Sequence, residues 1–106
     1  MASAQGAEDW WRGDGLPKVG EPVVVVVDGI DVAVAEVAGM LVAFDDTCTH
    51  RACPLSEGTF DDLSVTCPCH KSRFDLATGR PLNGPATEAI RIRRVALEGE
   101  HLLIER

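Results

Sequence analysis

The sequence predicts an all-β domain made of many short strands joined by tight turns. Three observations lead to this prediction: a β-branched run at 22–27, apolar–polar alternation over 30–35, and glycine-containing turn dipeptides between such runs. No window keeps the 3.6-residue period of an amphipathic helix. Because 106 residues with 45% hydrophobic content are sufficient for one modest core, the span 1–106 is expected to be a single domain.

The first half of the chain shows its strands clearly. Residues 8–12 contain two tryptophans and are interpreted as a hydrophobic strand that covers one end of the core. A glycine-rich loop follows, and strands are then predicted at 22–27, 30–35 and 40–44. Asp28-Gly29 and Ala38-Gly39 lie between these runs and are typical of hairpin turns.

The second half is less regular. Short strands are predicted at 64–67 and 73–76, a turn-rich stretch at 77–84, a long strand at 88–97 and a last strand at 101–105. The alternation slips at Arg93-Arg94, which indicates a bulge within the long strand. Arg91, Arg93 and Arg94 are expected to form a solvated strand face.

The charge of the chain restricts its partners. A formal net charge of −7 at pH 7 excludes nucleic acid as a partner, because the phosphate backbone would repel so acidic a protein. The acidic surface favours a partner with a basic face, or it serves only solubility.

The sequence contains no run of about 20 apolar residues, which a transmembrane helix requires. Its N-terminus lacks the basic start and apolar core of a signal peptide. No membrane association and a cytoplasmic location are therefore expected. A piece cut from a longer, membrane-anchored protein would look the same.

Two short boxes contain all four cysteines and two of the three histidines. The first box, 48–53, reads Cys-Thr-His-Arg-Ala-Cys, and the second box, 67–72, reads Cys-Pro-Cys-His-Lys-Ser. Cys48-x-His50 and Cys67-x-x-His70 thus stand sixteen residues apart. Thiolate sulfur together with imidazole nitrogen suits zinc or an iron–sulfur cluster, so a metal site is predicted here.

The two boxes together resemble the Rieske [2Fe–2S] motif, in which two histidines replace two cysteines on one iron. Pro-Leu-Ser-Glu-Gly at 54–58 and Ser-Arg-Phe-Asp at 72–75 are similar to the segments that follow the boxes in Rieske-type ferredoxins. Leu-Asn-Gly-Pro-Ala-Thr at 82–87 resembles the proline loop that closes over the cluster. The resemblance covers residues 21–106, and the spacing of the two boxes is its specific part.

The resemblance implies a fold and a ligand set. The fold would be three stacked antiparallel sheets, with a small cluster-binding subdomain at about 45–87 formed by the two loops. Cys48 and Cys67 would bind one iron, and His50 and His70 the other, of one [2Fe–2S] cluster. A structural zinc site with the same four residues is the alternative.

Cys53 and Cys69 match the extra cysteine pair of high-potential Rieske proteins, where it forms a disulfide between the two loops. The resemblance therefore implies a Cys53–Cys69 disulfide, with two free thiols as the alternative in a cytoplasmic protein.

Four further residues are implied to lie around the cluster. Ser72 matches a serine whose hydroxyl bonds a bridging sulfide, and Pro85 belongs to the loop that shields the cluster from water. Phe74 replaces a tyrosine, so a hydrogen bond to sulfur is missing. Lys71 replaces a usual glycine, which places a cation beside the cluster and predicts backbone strain if the glycine serves a positive φ.

The function implied is that of a ferredoxin, a one-electron carrier from a reductase to an oxygenase or a similar terminal oxidoreductase, rather than an enzyme. Three alternatives stay open: a small subunit or tethered domain of a larger oxidoreductase, a soluble relative of the respiratory Rieske subunits, and a zinc-holding binding module. Neither the reductase, nor the acceptor, nor the redox potential, nor the oligomeric state follows from the sequence.

Overall fold

The computed structural model describes residues 9–14, 16–17, 21–49, 53–69, 71–84 and 86–106, and most of the regular secondary structure in these residues is β-strand. They also contain one turn of 3₁₀-helix at Leu55–Glu57. The strands are β1 (Trp10–Gly13), β2 (Val23–Val27), β3 (Ile30–Val37), β4 (Met40–Asp45), β5 (Thr59–Asp61), β6 (Ser64–Thr66), β7 (Arg73–Asp75), β8 (Pro81–Asn83), β9 (Ile92–Arg93), β10 (Val95–Glu98) and β11 (His101–Glu105).

The central sheet has the order β2-β3-β4-β9. Its first three strands form a meander, with Val27 opposite Ile30 and Val37 opposite Met40 across two-residue turns. Asp28-Gly29 and Ala38-Gly39 both take the positive φ angles that such turns need. The two hairpins predicted from these dipeptides are confirmed.

A second sheet, β1-β11-β10, brings the two ends of the chain together. Trp10 lies opposite Glu105, and Val95 lies opposite Ile104. The first and last strands predicted from the sequence are thus confirmed, and they are neighbours.

The third sheet, β5-β6-β7-β8, is formed entirely by the chain between β4 and β9. β4 and β9 are neighbours in the central sheet, with Ala43 opposite Arg93. Just beyond this pair, the Asp45 N–H donates to the Arg91 carbonyl at 3.0 Å. The chain therefore leaves the central sheet and returns to it at nearly the same point. Everything between, which we call the inserted unit (residues 46–91), carries both boxes.

Alternating residues of the central sheet supply two separate cores. Val32, Val34 and Ala43 face the sheet β1-β11-β10, where they pack with the buried Leu102 and Ile104. The opposite face of the central sheet packs against the inserted unit, in a core formed by Ala33, Ala35, Val37, Val42, Phe44, Cys48, Leu55, Val65, Cys67, Phe74, Leu76, Ala86 and Ile90. The three stacked antiparallel sheets implied by the resemblance are confirmed.

Several details differ from the sequence prediction. The turn-rich stretch at 77–84 contains β8, and the stretch before 64 contains β5. The long strand predicted at 88–97 was wrong: residues 88–91 are not strand, β9 pairs in the central sheet, and β10 pairs in the second sheet. The break in alternation at Arg93-Arg94 is therefore the point where the chain passes from the central sheet to the second sheet, and it is not a bulge.

The expectation of a solvated arginine face was wrong for Arg93, which is 2% exposed. Its Nε donates to Asp45 Oδ1 at 2.5 Å and its Nη1 donates to the Glu105 carbonyl at 2.8 Å. Arg93 thus connects the central sheet to the second sheet. In the described part of the chain, no helix is long and apolar enough to cross a membrane.

Candidate metal centre

The two boxes form two loops of the inserted unit, and backbone hydrogen bonds close each loop. In the first, the Cys48 N–H donates to the Cys53 carbonyl at 2.9 Å. In the second, which joins β6 to β7, the Cys67 N–H donates to the Ser72 carbonyl at 2.7 Å, and the Lys71 N–H donates to the Cys67 carbonyl at 3.1 Å. These bonds bring the two ends of each box together close to the end of a strand, a usual place for functional residues.

Cys48 and Cys67 keep their thiol groups and are almost fully buried, at 2% and 0% exposed. Both belong to the apolar core that the inserted unit shares with the central sheet, alongside Leu55 and Phe74. One buried thiol thus comes from each box, at the first position of each.

Cys53 and Cys69 form a disulfide between the two loops, with their Cα atoms 6.5 Å apart. This is the pairing that the resemblance implied. The sulfur atoms of Cys53, Cys67 and Cys69 lie within 4.8 Å of one another. Because disulfide sulfurs are not thiolates, Cys67 is the member of this group that offers a metal ligand.

The predicted ligands His50 and His70, and Pro85 of the predicted lid, lie outside the described residues. Their roles stay predictions.

The segment that follows Pro85 is tied to both loops by side-chain hydroxyls. The Ala86 N–H donates to Ser72 Oγ at 3.0 Å, and Thr49 Oγ1 donates to the Glu88 carbonyl at 2.7 Å. Ser72 is 0% exposed and accepts this bond, so its own hydroxyl proton stays available for another acceptor. Thr49 could not be predicted as part of the site, because nothing near it in the chain indicates a partner 39 residues away.

Asp46 is buried beside the first box, at 6% exposed. Its two carboxylate oxygens accept hydrogen bonds from the N–H and the hydroxyl of Ser56, at 2.6 and 2.7 Å. Burial raises the pKa of Asp46, and the bonds from Ser56 oppose that increase. Asp46 thereby fixes the 3₁₀ turn that begins two residues after Cys53.

The structure also describes Lys71 and Phe74, which were predicted to lie around the cluster. Lys71 is exposed and has a φ of 65°, as expected if it occupies a position suited to glycine. Phe74 is fully buried in the core of the inserted unit. The Phe74 ring carries no hydroxyl, so it cannot supply the missing hydrogen bond to sulfur.

The donor chemistry of the described residues fits an iron–sulfur cluster. Two thiols from two loops, buried among apolar side chains, are soft ligands in a site that excludes water. The disulfide joins the two loops directly. The hydrogen bonds of the Ser72 and Thr49 hydroxyls connect each loop to the segment 86–88. A groove of about 530 Å³ elsewhere, lined by Trp10, Met40, Leu41, Val42, Ala43, Leu76, Ala77, Ile92, Arg93, Arg94 and Val95, contains no cysteine or histidine among these described residues.

The family model of the Rieske [2Fe-2S] domain matches residues 12–96. Among characterised relatives, the ferredoxin component of the naphthalene 1,2-dioxygenase system of Pseudomonas aeruginosa is 38% identical over 86 residues, which are 81% of this chain and 83% of that one. The ferredoxin subunit of anthranilate 1,2-dioxygenase of Burkholderia cepacia is 38% identical over 72 residues, or 68% and 67% of the two chains.

Solved structures show the same similarity. The ferredoxin of carbazole 1,9a-dioxygenase from Nocardioides aromaticivorans superposes with a TM-score of 0.82 at 31% identity, covering 91% of this chain and 96% of that one. A chain from the complex of reduced oxygenase and oxidized ferredoxin in carbazole 1,9a-dioxygenase gives a TM-score of 0.81 at 29% identity, covering 92% of this chain and 93% of that one.

Proposed function

The chain belongs to the Rieske [2Fe-2S] domain family, and we propose that it carries single electrons from a reductase to the terminal oxygenase of a multicomponent dioxygenase system. The relatives that cover most of its length are ferredoxin components of such systems, and one similar structure is a ferredoxin bound to its oxygenase. The chain is an electron-transfer protein and not itself an enzyme.

The observation that carries this proposal is the pair of buried thiols presented by two loops that a disulfide joins. Cys48 and Cys67 would hold one iron of the cluster, and His50 and His70 the other. When bound, the cluster supplies a one-electron couple whose potential lies above that of all-cysteine clusters.

The remaining residues would position this couple and keep water from it. The core around Phe74 and Leu55 surrounds both thiols with apolar side chains. Ser72 and Thr49 hold the segment 86–88 against the two loops. A rigid and dry site suits electron transfer, because little has to rearrange when the charge changes.

The proposal is tested by measuring iron, zinc and acid-labile sulfide in the purified protein, with the EPR spectrum after dithionite reduction. About two irons and two sulfides per chain, with the low average g value of histidine-ligated clusters, are expected. Cys67→Ser should lose the sulfide and the signal, whereas Cys69→Ser, the matched control in the same box, should retain a cluster. One zinc and no sulfide in the wild type would overturn the proposal.

A second candidate function is that of a soluble relative of the respiratory Rieske subunits. The Cys53–Cys69 disulfide supports it, since the resemblance links that pair to high-potential Rieske proteins. The redox potential distinguishes the two. Rieske centres span about −150 to +300 mV. A value in the lower part of that range agrees with a ferredoxin that serves an oxygenase, and a value near the upper end favours the second candidate. The predicted cytoplasmic location is part of the first proposal, and cell fractionation tests it.

A further inference from the structure

Cys67 lies beside a disulfide to which it does not belong. Its sulfur and the two bonded sulfurs of Cys53 and Cys69 all lie within 4.8 Å of one another. Cys67 keeps its thiol, so a nucleophile and a disulfide share one small cluster, which we call the sulfur triad (Cys53, Cys67 and Cys69). A thiolate attacks a neighbouring disulfide directly, without the help of any further reactant.

The three members of the sulfur triad differ in burial. Cys67 is 0% exposed, Cys53 is partly exposed and packs against the same core, and Cys69 is exposed. Cys67 and Cys53 therefore share apolar surroundings, while Cys69 is in contact with water. In a thiol–disulfide exchange the sulfur that leaves carries the negative charge, and water stabilises that charge best at Cys69.

The other possible product is less favourable, because it would join Cys67 to Cys69 across Pro68 alone. A disulfide between residues two positions apart closes a small ring, and the proline fixes one of the few dihedral angles that could adapt to it. Attack on Cys53 instead joins two separate loops, which the existing disulfide already holds together. Burial and ring size thus favour the same product.

We infer that, in the metal-free protein, Cys67 attacks Cys53 and exchanges the Cys53–Cys69 disulfide for a Cys53–Cys67 disulfide. The Cys67 thiolate forms the new bond to Cys53 Sγ. The bond between Cys53 and Cys69 breaks, and its electron pair leaves on Cys69 Sγ, which then takes up a proton from water. One thiolate and one disulfide react to give one thiolate and one disulfide, so the exchange needs no oxidant and no reductant.

The product is a locked form of the protein, since Cys67 is held in a disulfide and cannot bind iron. This consequence rests on the proposed function, whereas the exchange itself does not. A metal bound to Cys67 occupies the sulfur that attacks. Metal binding and exchange therefore exclude each other, and the sulfur triad decides whether the empty site stays open for loading.

The experiment follows the position of the thiols after the metal is removed. A chelator is added to the full-length protein under argon, or the protein is used directly if it is purified without metal. Samples are alkylated with N-ethylmaleimide at intervals and digested after Arg51, Glu57 and Lys71, which places Cys53 on peptide 52–57 and Cys67 with Cys69 on peptide 58–71. Fragmentation in the mass spectrometer then shows which of these two cysteines carries the label.

The label is expected to move from Cys67 to Cys69 over minutes to hours, while the two peptides stay linked. The number of labelled thiols should stay at two per chain, because no electrons are gained or lost. The rate constant should change by less than about 2-fold when the protein concentration rises about 10-fold, since the reacting groups are held in one molecule. Protein that still contains its metal should keep the label pattern of the Cys53–Cys69 form.

Two variants provide the controls. Cys67→Ser removes the attacking sulfur, so Cys69 should never be labelled. Cys48→Ser removes the other buried thiol but leaves the sulfur triad intact, and it should exchange within about 2-fold of the wild-type rate. In concentrated urea, where the fold no longer selects partners, Cys48 of the wild type should also enter disulfides.

A label that stays on Cys67 in the metal-free wild type would overturn the inference. So would a Cys67–Cys69 disulfide as the main product, a rate proportional to protein concentration, or disulfides that include Cys48 without urea. The two proposals fail separately. Label transfer in a protein without acid-labile sulfide contradicts only the proposed function, and a fixed label in a protein that did carry a cluster contradicts only the exchange.

Discussion

At the scale of single residues, the two kinds of cysteine have different surroundings and different roles. Cys48 and Cys67 are buried in the core, whereas Cys69 is exposed and Cys53 is partly exposed. A residue at the surface can contribute a covalent link without disturbing the apolar environment that the thiols require. The disulfide therefore joins the two loops, and the buried thiols are the groups that we propose bind iron.

The Cys53→Ser/Cys69→Ser double variant should lose about 3 kcal/mol of unfolding free energy, because the disulfide closes a loop of 16 residues in the unfolded chain. Urea unfolding of the metal-free protein under non-oxidising conditions measures the loss. The wild type with reductant should unfold at the midpoint of the double variant, and reductant should not affect the variant. An unchanged midpoint in the variant would show that the link does not stabilise the fold.

Residues whose partners lie close in sequence were predictable, and residues with distant partners were not. The boxes stand out because four cysteines and two histidines fall within two short stretches. The contacts of Asp46 and Thr49 were not predicted, because their partners, Ser56 and Glu88, are 10 and 39 residues away in the sequence. Lys71 was identified only because the family resemblance supplied the expectation of a glycine at that position.

At the scale of elements, tight turns fix the register of the central sheet. Ala38 has a φ of 54° at the first position of the β3–β4 turn, while Asp28 occupies the equivalent position of the β2–β3 turn at 52°. Aspartate and asparagine tolerate this region better than alanine, because their side chains bond the local backbone.

Ala38→Asn should therefore raise the unfolding free energy by about 0.5 kcal/mol. Ala38→Val should lower it by about 1 kcal/mol, since a β-branched side chain is disfavoured at positive φ. Chemical denaturation measures both changes. A stabilising valine or a destabilising asparagine would contradict the turn geometry described for this hairpin.

Between β9 and β10, the Glu105 carboxylate joins the chain to β11, together with a backbone hydrogen bond from the Glu105 N–H to the Arg94 carbonyl at 2.9 Å. Glu105 Oε1 accepts the Arg94 N–H at 2.9 Å, and this backbone bond is the leading cause that lowers the pKa of Glu105, with the charges of Arg94 and Arg91 adding to it. A lowered pKa in the folded state means that the carboxylate form stabilises the fold.

The stabilisation by Glu105 should be present above its ordinary pKa of 4.5 and lost as the pH falls through the lower folded value. Glu105→Gln is thus expected to cost about 0.5 kcal/mol at pH 7, a small value because the side chain is 29% exposed, and less than that at pH 3. Unfolding curves at the two pH values measure this. A penalty that is larger at pH 3 would contradict the assignment.

The elements that the sequence missed are short and lack a periodic pattern. β8 has three residues and begins with a proline, and β9 has two residues. Pairing with neighbouring strands defines them, and such pairing is not encoded in alternation along the chain. The passage of the chain from one sheet to another at Arg94 was mistaken for a bulge, because both interrupt the alternation of apolar and polar residues in the same way.

At the scale of the whole molecule, a buried ion pair joins two of the three sheets. Arg93, with 1% of its side chain exposed, bonds Asp45 of β4 and the Glu105 carbonyl of β11. Asp45 is 25% exposed, so water solvates it in part when its partner is removed. Removing Asp45 therefore leaves a buried guanidinium, whereas removing Arg93 leaves a carboxylate that water reaches in part.

Asp45→Asn should cost about 3 kcal/mol, because it leaves a guanidinium without a counter-charge in the interior. Arg93→Met should cost less, about 1–2 kcal/mol, because the remaining carboxylate is partly hydrated and methionine fills much of the volume. Denaturant unfolding of both variants and of the double variant measures the difference. The reverse order of the two costs would show that Asp45 is the more confined charge.

Composition and alternation alone predicted only an all-β domain of many short strands. The three stacked sheets came from the family resemblance, since no local pattern shows that β1 pairs with β11 or that β4 pairs with β9. Contacts between the two ends of a chain depend on the complete fold, and the periodicity of single strands contains no information about them.

The hydrogen bond between the Asp45 N–H and the Arg91 carbonyl has a consequence for protein engineering. Since the chain departs and returns across one pair of neighbouring strands, residues 46–91 form an exchangeable cassette. A redox unit from a relative with another potential could replace them without redirecting the rest of the chain. The incoming unit would pack against the apolar face formed by Ala33, Ala35 and Phe44, and it would have to match the shape of that face.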